Sequence, residues 1–349
     1  MDFPDFQKFI IQASEQSLKR ISAFNPLTIH KKGTRSKAIF ALALVCFFWG
    51  TTWIAAKEGV RYMPALQMAG MRQLFGGLCF IIFFLYKGER WPRGKEWGPI
   101  LVLSSLNFIL SNGLSTWGVK YISSGLGAIM GAIFPLWIVI IGLFTAGNKM
   151  PRKAIIGMIL GFAGICIIFY EHLHDFRNAD FLFGILLSLA ATWSWAFGTI
   201  YTKKHAAGFN PYFSLGLQML ISAITILIVT KTGSSISSTN SVTTPSKIFI
   251  PLTEIPWQSW AAMGYLVLFG STISFIAYIY ALRNLPTGQV SIYAYINPIV
   301  AILLGAAIFS EKLTEFIAVG GLVTLLGVYL VNRAFKAIPP TEQPEAEGI

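Results

Sequence analysis

Long apolar runs, nearly free of charge, alternate along this chain with short clusters of Lys and Arg. A bilayer's hydrocarbon core is about 30 Å thick and takes about 20 helical residues to cross. Inside it, backbone amides and carbonyls must be bonded within their own segment, so these runs can only be helices. Ten candidate spans follow, near 37–57, 65–86, 98–119, 122–146, 153–170, 181–203, 210–231, 257–282, 287–309 and 315–334. The expected fold is an all-α integral membrane protein with ten transmembrane helices.

Charge supports this reading. Only 12% of the 349 residues are charged, about half the share of a typical soluble domain. The net charge of +12 brings no nucleic-acid recognition motif with it. Loop charges account for it instead. With the N-terminus inside, the outer loops hold Lys57, Arg61, Lys120, Arg177, Lys231, Lys247 and Lys312. The inner loops and tails hold nearly all the rest, so both termini, residues 1–36 and 335–349, are expected in the cytoplasm of a cell-membrane protein.

Residues 1–36 lack the early apolar run of a secretory signal. Phe6, Ile10, Leu18, Ile21 and Phe24 fit either an interfacial helix or an unstructured tail. Residues 232–256, rich in Ser and Thr, read as a flexible link. Cys46, Cys79 and Cys166 sit in apolar segments with no metal or redox spacing.

The chain repeats itself. An offset of 163 places Ser111 on Ser274, Lys120 on Arg283, Gly125 on Gly288, Pro135 on Pro298, Gly157 on Gly320 and Gly164 on Gly327. An offset of 146 places Trp49 on Trp195 and Lys57 on Lys203, and one residue more places Pro64 on Pro211. Each half, 37–170 and 181–334, holds five predicted helices. Five is odd, so the second half enters from the opposite face. Two inverted five-helix repeats are an architecture of secondary transporters.

Several motifs recur in order: Trp49-Gly50-Thr51-Thr52 before Lys57, Pro64, and Met71-Arg72-Gln73-Leu74. The second half carries Tyr280 through Pro286, Asn297-Pro298 and Glu311-Lys312-Leu313-Thr314. These resemble the drug/metabolite transporter superfamily, EamA type, with two EamA modules. The resemblance implies a central cavity between the repeats and export or exchange of small metabolites. The first repeat departs from it, with Gly147-Asn148-Lys149-Met150 where the second has Glu311 to Thr314.

Candidate cavity residues follow. Arg72 lies about 10 Å into the second helix, where a charge costs on the order of 2.5–3.5 kcal/mol. It either faces a wet cavity or snorkels to the interface. Asn107 and Ser111 share a face of the third helix, and Gln289, Tyr293 and Asn297 form a polar stripe on the ninth. Trp49 and Trp195 are repeat-related rings inside their spans, suited to stacking or cation–π contact. Pro135 and Pro298 are candidate hinges. Lys120 and Arg283 end helices, where the macrodipole favours cations; the alternative for them is a gate. Gly127 with Gly131, and Gly157 with Gly161, read as sites of close helix packing.

No hydrolase elbow, zinc-protease motif or nucleotide loop is present. No cofactor or metal is expected, and the short His172, His174, Asp175 cluster reads as a solvated loop. The expected partners are a small-molecule substrate and the lipid bilayer. The sequence does not settle the oligomeric state, and a monomer is compatible with it. The expected function is secondary transport of amino acids or amphipathic metabolites by alternating access. A sugar-phosphate or nucleotide-sugar exchanger is the alternative within transport, and a scaffold or sensor is the alternative outside it.

Overall fold

The computed structural model describes residues 33–146, 152–171, 174–205, 209–240, 249–285, 290 and 293–336. Gln289, Gly288, His172, the Gly147–Met150 segment and most of both tails lie outside them. The described residues form helices and connecting turns, with no strand.

In chain order the helices are α1 (Thr34–Tyr62), α2 (Ala65–Tyr86), α3 (Gly94–Gly118), α4 (Ser124–Ala132), α5 (Phe134–Ala146) and α6 (Arg152–Glu171). Then come α7 (Ala179–His205), α8 (Pro211–Asn240), α9 (Trp257–Asn284), α10 (Tyr293–Phe309) and α11 (Glu315–Lys336). Six are long and apolar enough to cross a membrane: α1, α2, α3, α7, α8 and α9. Four further apolar helical stretches are shorter. Ile82, Ile159, Phe162, Ile228, Leu303 and Leu322 point outward from their helices. So many large apolar side chains facing out suit lipid rather than water.

One expectation needs correction. The 232–256 segment is not a link throughout, because α8 continues to Asn240. Its far end is also held: Gln67 donates from Nε2 to the Ile250 carbonyl (2.7 Å) and accepts the Ile250 amide at Oε1 (2.9 Å). The two prolines also behave differently. The helix breaks at Ile133 and restarts as α5, with Leu136 N bonded to Ile133 O at 2.8 Å. Pro135 thus sits in a first turn, where its missing N–H costs nothing. Pro298 lies inside α10, which is not broken.

Helix contacts obey the internal repeat. α1 packs on α9 and α10, and its counterpart α7 packs on α3, α4 and α5. α2 meets α9 as α8 meets α3. Three pairs join counterparts directly: α2 with α8, α4 with α10, and α6 with α11. Each runs antiparallel. Gly157 and Gly161 pack on Gly327, while Gly164 packs on Gly320. Gly77 meets Gly216 while Gly70 meets Leu227, and Gly125 meets Ile302 while Phe134 stacks on Tyr293 at 5.6 Å. Antiparallel crossing of equivalent helices is what inverted repeats require.

Both third helices of the repeats lose α winding at the same place. α3 is a π-helix over Ser104–Gly113, and α9 over Leu266–Ile273. In α9, Thr272 and Ser274 donate their hydroxyls to carbonyls five residues back, Val267 (2.9 Å) and Phe269 (2.5 Å). Such stretches are rare and concentrate at functional sites.

Candidate functional site

A cavity of about 170 Å³ lies between the two halves. The first half supplies Trp49, Trp53, Arg72, Asn107, Ser111 and Asn112, among others. The second supplies Thr192, Trp195, Phe275, Tyr293, Asn297 and Pro298. The expected candidates Arg72, Trp49, Trp195, Asn107, Ser111, Tyr293, Asn297 and Pro298 are thus brought together. Pro135, Lys120 and Arg283 are not among the lining residues. Lys120 and Arg283 are exposed, with their charges over the rings of Tyr121 (5.5 Å) and Tyr212 (5.8 Å).

Arg72 does not snorkel. Its residue exposure is 6%, and its Nε donates to Ser271 Oγ on α9 at 3.0 Å. Its Nη2 lies against Gly270, where a Cβ would sit 3.0 Å away. Gly270 also accepts a hydrogen bond from Trp49 Nε1 on its carbonyl (3.2 Å). The π stretch of α9 therefore carries both the cation and the indole on consecutive residues.

The aromatic wall is continuous. Trp49 lies 5.0 Å from Tyr278, 5.1 Å from Tyr293, 5.4 Å from Phe275 and 6.2 Å from its repeat partner Trp195. Most of these pairs meet edge to face, the geometry the ring quadrupoles favour. Trp195 Nε1 also approaches Tyr293 Oη at 3.4 Å. Asn297 is partly occupied by helix packing: with its amide turned to donate, Nδ2 reaches the Cys46 carbonyl on α1 (2.8 Å) and the Tyr293 carbonyl (3.1 Å).

Some lining residues were not among the leading candidates. Trp53 rests its ring on Gly127 and Gly131, whose added Cβ atoms would meet it at 2.9 Å and 3.0 Å. The glycine pair in α4 therefore seats an indole rather than a helix backbone. Asn112 accepts from Gln73 Nε2 at 2.8 Å, tying α3 to α2. Repeated Gly spacing signals closeness but not the kind of neighbour, so only the folded geometry separates these cases.

One end of the bundle is clamped. Lys57 Nζ donates to the carbonyls of Val119 (2.9 Å), Lys120 (3.4 Å) and Ile122 (2.6 Å). The cation that caps α3 thus comes from α1, not from Lys120 itself. Glu311 caps α4 from the other half, accepting the Ser124 amide (2.9 Å), the Ser124 hydroxyl (2.8 Å) and the Gly125 amide (3.3 Å). Both placements suit the helix macrodipole. Among the described residues, no group of His, Cys, Asp and Glu is arranged to hold a metal.

Comparison with known proteins agrees with this architecture. The EamA-like transporter family matches residues 36–170 and 182–333. "Uncharacterized transporter YvbV" of Bacillus subtilis is 30% identical, over 88% of this chain and 95% of its own length. "Uncharacterized inner membrane transporter YedA" of Escherichia coli is 31% identical, over 89% of this chain and 96% of its own. A chloroplastic WAT1-related protein of Arabidopsis thaliana is 26% identical, over 82% and 67%. One solved crystal structure shares the fold, with a TM-score of 0.59 at 16% identity, covering 87% of this chain and 100% of the other. The chain is a multi-pass membrane protein and belongs to the EamA-like transporter family.

Proposed function

We propose that this protein is a secondary transporter of small metabolites, such as amino acids or amphipathic compounds, working by alternating access. The observation that carries this reading is the central cavity, walled by equivalent helices of two antiparallel halves. Such halves have two packings of similar energy, and each packing opens the same site to one face of the membrane. The repeats are taken as 37–170 and 181–334, with both termini in the cytoplasm and export as the direction. The Lys and Arg bias supports that orientation.

Among the described residues, the lining includes no Asp, Glu or His. A carboxylate-borne proton cycle has no carrier there, which favours facilitated transport or exchange. The sugar-phosphate alternative needs several cations facing one site. Lys120 and Arg283 lie at the exposed surface instead, so we favour metabolite export.

The test is flux. Cells with and without the protein are compared for excreted metabolites, and hits are repeated in proteoliposomes under imposed gradients. Export of at least one small solute, abolished by filling the cavity with Ala128→Trp, is the expected result. No flux of any solute in either direction would leave a scaffold or sensor as the better reading.

A further inference from the structure

Among the described residues, Arg72 has no counter-ion. The ion pairs of Arg61 with Glu58 and of Arg90 with Glu96 do not involve it. Its one hydrogen bond to those residues is from Nε to the neutral Ser271 hydroxyl. Among the described residues the terminal nitrogens have no such bond, yet the residue is buried and lines the cavity. A lone buried charge is costly unless something pairs with it.

The charge is also one-sided. The offset of 147 that aligns Pro64 with Pro211 places Met219 opposite Arg72. Met219 is buried and apolar. The fold therefore does not require a cation at this position of the second helix; the second half does without one.

What surrounds the guanidinium defines a ligand. Gly270 links the two: Arg72 Nη2 lies 3.0 Å from where its Cβ would stand, and Trp49 Nε1 donates to its carbonyl. The charge thus stands at the edge of the aromatic wall of Trp49, Trp195, Phe275 and Tyr293. To the same lining α3 adds Ser111, Asn112 and Ser115. The volume of about 170 Å³ is close to that of an apolar cavity known to take one benzene ring, about 150 Å³.

We infer that the cavity binds a small monocarboxylate, its carboxylate on the Arg72 guanidinium and its apolar body, about one ring in size, against the Trp49–Trp195 wall. Arg and carboxylate match as a two-pronged, charge-assisted pair. A phosphate dianion would need a second cation, and Lys120 and Arg283 face outward. The inference rests on reading this cavity as the substrate site, but not on flux.

The test is binding to the purified full-length protein in detergent, read by tryptophan fluorescence and by thermal shift. Benzoate is compared with benzamide, which has the same shape and no charge, with benzylamine, and with inorganic phosphate. Benzoate should bind saturably and at least tenfold more tightly than each of the others. Arg72→Met, which copies the other repeat, should lose at least tenfold in benzoate affinity while keeping its melting temperature. Arg72→Lys should keep part of the affinity. If Arg72→Met does not fold, the comparison of benzoate with benzamide on the wild type still decides. Equal binding of benzoate and benzamide, equal binding of benzoate and phosphate, or full benzoate affinity in a folded Arg72→Met would overturn the inference. Charge-selective binding without flux in liposomes would spare it and sink the transport reading. Flux without charge selectivity would do the reverse.

Discussion

Gly164 of α6 and Gly320 of α11 touch backbone to backbone, so that a Cβ on Gly164 would stand 2.6 Å from the Gly320 carbonyl oxygen. The pair has a mirror within the same interface. Gly327, the repeat equivalent of Gly164, packs on Gly157, the equivalent of Gly320. Each helix offers the other the same two positions in reverse order. That is the contact of an axis running between α6 and α11 and perpendicular to them. In lipid, without water to expel, such close backbone approach is a main source of helix association.

Gly164→Ala should therefore lower stability, because backbone cannot rotate out of the way as a side chain can. Overpacking of this kind costs about 1–3 kcal/mol. Gly264→Ala is the control: nothing lies within 4 Å of its Cβ position, and Ala favours a helix by about 1 kcal/mol over Gly. Thermal denaturation in detergent should move down for the first variant and stay or rise for the second. Equal shifts in both would mean that the α6–α11 contact does not hold the halves together.

The clamp at the α3–α4 turn leads to a second expectation. Lys57 and Glu311 hold opposite ends of that turn from two different halves, and Ser310 before Glu311 takes a left-handed backbone angle (φ 53°) to place it. Lys57→Met or Glu311→Ala should each cost about 2 kcal/mol through lost charge-assisted capping bonds. Either should speed amide exchange across residues 119–125. Ser310→Gly should relieve the strained angle, and stability should rise by up to about 1 kcal/mol. If exchange in 119–125 stays at the wild-type rate in both charge variants, the turn is held by something else.

Much of this was legible in the sequence, and the rest fails for definite reasons. Apolar length marks spans because the bilayer imposes it, and the 163-residue offset marks the repeat because Pro135, Gly157 and Gly164 return in register. Trp49 and Trp195 meet as their equivalence suggests. Arg72 was ambiguous because its depth allows both snorkelling and burial; only the position of Ser271, 199 residues away, settles it. Lys57 read only as an outer-loop charge, since its acceptors are carbonyls, which every residue has. Gly127 and Gly131 announce a close neighbour, but nothing in α4 says that the neighbour is the Trp53 ring.

That ring gives a third expectation. Gly127→Ala places a methyl within 2.9 Å of the Trp53 indole, and the flat side chain must tilt into the cavity. Stability should fall by about 1 kcal/mol, since a side chain yields more easily than backbone. Benzoate affinity should fall more, because the displaced ring takes up ligand space. Trp53→Ala should restore affinity in the Gly127→Ala background while lowering stability further. Unchanged benzoate binding in Gly127→Ala would place the ligand away from Trp53.

The π stretch of α9 carries the last expectation. Ser274 N–H bonds the Phe269 carbonyl, five residues back, where an α-helix bonds four back. The stretch thus holds about one residue more than α winding needs. Each residue of an α-helix turns it by about 100°, so the extra residue sets how Gly270 and Ser271 face relative to Phe275 and Tyr278. Leu268 lies within the stretch and is exposed, so its loss removes little packing. Deleting Leu268 should return the segment to α winding and keep helix content by circular dichroism. Arg72 and the Trp49 indole would no longer find Ser271 and Gly270 on the same side as Phe275. Benzoate binding should drop at least tenfold while the protein stays monodisperse. Wild-type binding in the deletion variant would show that the winding of α9 is incidental to the site.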